Sequence, residues 1–290
     1  MTDVDARKAA RDEIKRSVPS NVWLQNDEYI EQLYQQIRQH PISNHPAITA
    51  LNSSTFGEKA LKEIHLEYRH AIVQIFTDAL LMAQYQCRQL EPRLVSGQKM
   101  FSRFLLTFNV LDEFGFTPDG SPDGSYTGDP NNAHYPLYEK VLSDLGISHE
   151  MRENHLPSQV SNQLRECLEL SYNDLSDVVA LLMVAEEVVV LFSAPLRENV
   201  KALGTDIGSG YYYCHGTSSD TQAQADDDTH ALDLKYVLAQ SLRHEEYERV
   251  SKLCVKYCDL WVAFWDLQLN HLLVANTDSK NKHNLPAMVA

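Results

Sequence analysis

The sequence predicts an all-α fold, a bundle of at least seven helices, and three observations carry that expectation. Glycine and proline number only 11 each in 290 residues and gather between long segments of helical period. Strand-type alternation is nearly absent. The hydrophobic fraction, 43%, is enough to fill one sizeable core.

Taken in order, helices are expected over residues 4–18, 27–39, 57–91, 97–114, 134–146, 157–200 with at least one break, 226–241 and 243–274. Such lengths exceed the average globular helix and suit a bundle whose members span its full height. In 57–91 an inner stripe runs through Leu66, Ile75 and Ala79. Between 97–114 and 134–146 lie 19 residues, Gly115 to Ala133, dense in Gly, Pro, Asp, Asn and Ser. They read as a surface loop and not a domain linker, because the flanking helices are too amphipathic to stand alone. The segment 157–200 holds the strongest burial signal, Asp177 to Phe192, with Glu186 and Glu187 side by side in its middle. The helix over 226–241 opens on Asp226, Asp227 and Asp228, residues suited to N-capping and to the helix dipole. In 243–274, Cys254 and Cys258 stand at i and i+4 and read as small core residues. One domain over 1–290 is expected, with its core over about 27–275, an N-terminal helix within 1–20 and a frayed tail from Thr277.

Bulk chemistry excludes several functions. Lys and Arg total 25 against 40 Asp and Glu, a formal charge of −15, which disfavours a phosphate-backbone partner. The five cysteines (Cys87, Cys167, Cys214, Cys254, Cys258) are widely spaced and form no Cys-x-x-Cys pair, so neither a disulfide framework nor a zinc clip is indicated. The N-terminus is charged and lacks the apolar region of a signal peptide, and no run reaches the length of a membrane span. A cytoplasmic protein that binds neither nucleic acid nor membrane is expected.

Metal-ligating chemistry concentrates on three helices. Around the helix axis Glu67 lies roughly 40° and His70 about 20° from Glu63, so all three can address one object. A solvated face is the ordinary explanation for such a set. The stripe of Leu66, Ile75 and Ala79 runs close to His70, however, and turns it inward, where an unpaired charge is expensive. Of Glu186 and Glu187 only one can face the core. Glu186 shares a stripe with Leu175, Val179 and Leu182, whereas Glu187 follows Ala180 and Met183. A carboxylate there is either paired with Lys or Arg or bound to a metal. The third set is His215, Asp227 and His230, for which capping by the aspartate and a hydrogen-bonded core histidine are the competing explanations. Carboxylates and imidazoles from separate helices are the donors an oxygen-activating iron site in a bundle requires. No Gly-rich phosphate loop, Gly-x-Ser-x-Gly elbow or His-Glu-x-x-His motif is present. Cys214 and His215 are adjacent in sequence and so poorly placed to act as nucleophile and base.

These residues resemble the haem-oxygenase-like diiron oxidases and oxygenases, a superfamily that includes the chlamydial para-aminobenzoate-forming protein, the alkene-forming fatty acid decarboxylase and diiron N-oxygenases. Glu63 and His70 match in spacing the family's first Glu–His pair, Glu186 or Glu187 its middle carboxylate, and Asp227-x2-His230 the end of its His-x3-Asp-x2-His motif. Asn109-x3-Glu113-x-Gly115 followed by His134-x2-Leu137 is similar to a further signature of the same group. The resemblance spans about residues 55–270 and departs from the pattern once. Where the family has its first histidine of the third motif this chain has Ala223, so His215, behind Tyr212-Tyr-Cys, would have to ligate across an inserted loop from Gly216 to Gln224.

The resemblance implies a haem-oxygenase-like bundle holding two Fe(II) ions, with dioxygen as co-substrate. Glu63 and His70 would hold one iron, His215, Asp227 and His230 chiefly the other, and Glu186 would bridge them. Glu67 would be an additional catalytic carboxylate or an orienting partner. The activity implied is oxidation of a small amino acid or carboxylic acid by desaturation, N-oxygenation or carbon–carbon cleavage, with an external electron donor and a homodimer both open. The alternative is a metal-independent, thiaminase-like hydrolase or a non-catalytic binding protein on the same scaffold. The hydrolase would need a positioned Cys beside a Glu. A haem-binding oxygenase is disfavoured because spread carboxylates would serve no purpose around a porphyrin.

Overall fold

The computed structural model describes residues 3–119, 125–205, 210–214 and 221–283, with side chains except those of 3–5, 214, 221–228 and 273–283. The helical periods of the sequence become α1 (Asp3–Arg16), α2 (Ser20–Gln39), α3 (Pro46–Asn52), α4 (Glu58–Tyr68), α5 (Phe76–Gln86) and α6 (Lys99–Glu113). Then follow α7 (His134–Asp144), α8 (His149–Glu153), α9 (Gln159–Leu170), α10 (Leu175–Lys201), α11 (Tyr211–Cys214), α12 (Thr221–Ser241) and α13 (Tyr247–His283). The fold is an all-α bundle.

Its axis is α10. This helix is apolar on nearly every side, as a helix with no solvent face must be, and α3, α5, α12 and α13 pack around it. Asp174 starts it by accepting a hydrogen bond from the Asp177 N–H at 3.0 Å. The break expected within 157–200 is the 3-10 turn Ser171–Asn173 just before this cap. From α13, Trp261, Phe264 and Trp265 enter the core, and the Trp265 ring stacks on Phe192 of α10 with centroids 4.2 Å apart. The same hydrophobic cluster takes in the N-terminal helix, through Ala10 and Ile14. Arg7 and Arg11 of α1 both grip Asp233 of α12, whose carboxylate is fully buried. Among the described residues no helix is long and apolar enough to cross a membrane.

Several boundaries differ from the periodic reading for identifiable reasons. The expected helix over 57–91 is cut by a π-helical turn, Arg69–Val73, in which the Gln74 N–H reaches the Arg69 carbonyl. A π turn inserts a residue into the 3.6-residue repeat, so positions beyond it change face. At the other end of the chain α12 begins at Thr221, which puts Asp226, Asp227 and Asp228 inside the helix and removes capping as their explanation. The helix α13 continues through the stretch expected to fray, as far as His283.

The turn-rich segment after α6 is anchored by a short antiparallel ribbon of β1 (Phe116–Pro118) and β2 (Tyr126–Gly128). Its closure depends on Gly115, which ends α6 at φ +78°. A Cβ there would sit 2.5 Å from the Asp129 carbonyl oxygen and 2.6 Å from the Ala133 nitrogen. Left-handed backbone and close approach both demand glycine, and together they bring the end of α6 against the start of α7. Gly115→Ala is therefore expected to lower unfolding stability by about 2 kcal/mol or more, measured by denaturant titration. An unchanged midpoint would show that the approach relaxes freely.

Candidate metal centre

Closure of the β1–β2 ribbon sets Glu113, the last residue of α6, beside His134, the first of α7. The Nδ1 of His134 lies 2.9 Å from Oε1 of Glu113, and both side chains are buried. Donation from Nδ1–H to this carboxylate makes Nε2 the unprotonated nitrogen of the neutral ring. Glu186 reaches the same place from the middle of α10. All three line a partly open cavity of about 30 Å³ whose wall also includes Tyr68, Ile72, Val73, Phe76, Tyr135, Val189 and Tyr211. That volume suits about two waters or a pair of small ions.

His230, on α12, stands at the rim of this group. Its Nε2 is 3.6 Å from Oδ2 of Asp112, which is itself 4.0 Å from Nε2 of His134. Burial pushes the His230 imidazole down to about 3, and the charges of Arg7 and His134 act in the same direction. It is thus neutral, the form that binds metals, throughout the physiological range. Burial also drives the Tyr68 and Tyr211 hydroxyls far up from their ordinary range, so both remain proton-bearing at the cavity wall.

The adjacent carboxylates on α10 part company. Glu186 is buried and lines the cavity, whereas Glu187 points to the flank and lies 3.5 Å from the Arg38 guanidinium. His215 lies outside the described residues, and so does the side chain of Asp227. The backbone of α12 places Ala223, Asp227 and His230 at i, i+4 and i+7, on one helix face. The segment leading to His215 is anchored close by. Tyr211 lines the cavity, and the Tyr212 hydroxyl lies 2.5 Å from Nε2 of the fully buried His65.

Glu63, Glu67 and His70 do share one face of the chain, but that face turns to α9 and away from the cavity, which none of the three lines. His70 is half-buried, and its Nε2 pairs with Oδ1 of Asn162 at 2.9 Å. Glu67 is buried to 2% exposure at the N-terminus of α9. Its carboxylate accepts from the Ser158 N–H at 3.0 Å, the Ser158 hydroxyl at 2.6 Å and the Ser161 hydroxyl. Burial alone would raise its pKa. The nearby His155 ring and the donors from Ser158 and Ser161 outweigh that effect and bring it down to about 2. In this setting Glu67 is an anion at neutral pH that fastens α9 to α4 by holding the Ser158 N–H and hydroxyl, while that hydroxyl in turn caps the Ser161 N–H. A role as catalytic carboxylate at the cavity does not fit its position.

Periodicity did not single out Glu113 and His134, which line the cavity, or Asp112 beside them, as donors. The Asn109-x3-Glu113-x-Gly115 and His134-x2-Leu137 signature was the available signal. The described thiols offer no nucleophile. Cys87, Cys254 and Cys258 are buried and burial raises each pKa, to about 12 for Cys87 and Cys258.

No protein-family model matches the chain, and no curated protein matches it. Solved structures do. A CADD-like protein of unknown function from Nostoc punctiforme, at 15% identity, superposes with a TM-score of 0.57 over 86% of this chain and 99% of its own. A second crystal structure with the same description gives 0.56 at 14% identity, over 87% and 97%. At these identities the likeness is one of fold: the chain has the same helical architecture as these CADD-like proteins.

Proposed function

We propose that the chain is a non-haem diiron oxidoreductase that consumes dioxygen and oxidises a small amino acid or carboxylic acid. The observation that carries this reading is the set Glu113, His134 and Glu186 around one small cavity in an otherwise apolar bundle. Carboxylate oxygens and imidazole nitrogens without a thiolate suit ferrous iron. The CADD-like fold and the family signature in the sequence support the same reading.

Glu113, His134 and Glu186 would hold the metal ions, with His230 and Asp112 next to them and Asp227 on the same face of α12. Two ferrous ions held there would supply electrons for dioxygen reduction, with an external donor needed to restore the ferrous state. The protein's own part is positional. Glu113 holds the His134 ring through Nδ1 and so aims Nε2, as orienting partners of metal-bound imidazoles do. Ile72, Val73, Phe76 and Val189 give the cavity an apolar wall, and the Tyr68 and Tyr211 hydroxyls keep their protons beside it.

The test is dioxygen uptake after anaerobic loading with Fe(II), assayed against a panel of amino acids and small carboxylic acids. Iron-dependent uptake accelerated by members of the panel is expected. Uptake that is absent at every iron loading would remove the reading.

A further inference from the structure

The face of α4 turned away from the cavity carries a second donor set. Glu63, Glu67 and His155 each present one ligand atom, and these atoms all lie within 4.8 Å of one another. Helix capping accounts for part of the arrangement, since Oε2 of Glu67 is occupied by the hydroxyls of Ser158 and Ser161. It does not account for His155. That side chain is only 10% exposed, and its Nε2, 3.0 Å from Oε1 of Glu67, has no partner aligned as a hydrogen bond. A buried imidazole nitrogen aimed at carboxylates without a directed bond forfeits its hydration. A cation between them would restore the lost interaction.

The geometry points to a divalent-cation site formed by Glu63, Glu67 and His155, separate from the cavity and joining α4 to the connection between α8 and α9. Donors around a tetrahedral zinc ion stand about 3.4 Å apart, so a separation near the 4.8 Å limit would close by about an ångström, while the 3.0 Å contact between His155 and Glu67 is already within that spacing. One nitrogen and two carboxylate oxygens, with water completing the shell, suit Zn²⁺, which such donors bind more tightly than Mn²⁺ or Fe²⁺. The serine hydroxyls on Oε2 and the Ser158 N–H on Oε1 fix the carboxylate with Oε1 beside His155, the usual role of partners behind a metal ligand. His155 precedes by three residues Ser158, the N-cap of α9, so occupancy would fix the start of that helix. This inference stands independently of the iron reading.

Zn²⁺ titration by calorimetry near pH 7 tests it. The full chain carrying His134→Ala and Glu186→Gln, which removes donors from the cavity, is expected to retain one equivalent of Zn²⁺. Adding Glu63→Gln or His155→Ala to that background is expected to weaken its binding tenfold or more. Neither substitution removes a hydrogen bond of the Glu67, Ser158 and Ser161 cap. In the otherwise unaltered chain the same two changes should lower total uptake by one equivalent, a comparison that stands even where the cavity variant fails to fold. Uptake unaffected by Glu63→Gln and His155→Ala would overturn the site, and so would a folded cavity variant that takes up no Zn²⁺.

Discussion

Glu186→Gln is expected to abolish iron-dependent dioxygen consumption, by about 100-fold or more, while leaving helix content unchanged. The substitution keeps the volume and shape of a side chain at the centre of α10 and removes only its charge and one ligand oxygen. His134→Ala should cause a similar loss of activity. It also leaves Glu113 without its 2.9 Å partner, so a stability cost of about 1–3 kcal/mol accompanies it. His70→Ala and Glu187→Gln are the informative controls. His70 pairs with Asn162 and Glu187 faces Arg38, so each variant should keep activity within about twofold of the parent. Rates of dioxygen uptake on the four variants, with circular dichroism for folding, check this. Loss of activity in His70→Ala equal to that in His134→Ala would return the iron site to the α4 face.

The second large effect is on stability and its pH dependence. Glu67→Ala should destabilise the fold by about 3 kcal/mol, from the drop of its pKa from 4.5 to about 2. The sign follows from that direction. A carboxyl whose pKa is lower folded than unfolded contributes its full stabilisation above pH 4.5, and the contribution disappears as pH falls toward 2. The parent should therefore lose stability through this acid window more steeply than Glu67→Ala, whose curve lacks this component. Denaturant midpoints at pH 7, 5, 4 and 3 measure it. Glu63→Ala, at a half-buried position outside the cap, should shift the midpoint by less than about 0.5 kcal/mol. Parallel curves for Glu67→Ala and the parent would mean that the anion does not hold α9.

The architecture was legible because helical period is a local property. The long apolar run of α10 and the phase that turns Glu186 inward follow from spacing along one element. The shared face of Glu63, Glu67 and His70 was legible for the same reason. What that face meets was not, because the partner, the Ser158 cap of α9, lies some 90 residues away in sequence. A π turn at Arg69–Val73 also shifts the phase of everything that follows. The pairing of Glu113 with His134 was hidden by the turn-rich segment between them, where no periodicity links the two ends. Closure there depends on Gly115, whose positive φ is invisible to a hydrophobic pattern. His155 sits in the short connection before α9, where there is no repeat to read.

Iron is expected between α6, α7, α10 and α12. An iron-edge anomalous difference map from crystals loaded anaerobically with Fe(II) tests it directly. The predicted result is a pair of peaks in the cavity among Glu113, His134 and Glu186, next to His230. Peaks confined to the Glu63, Glu67 and His155 cluster, with none in the cavity, would contradict it.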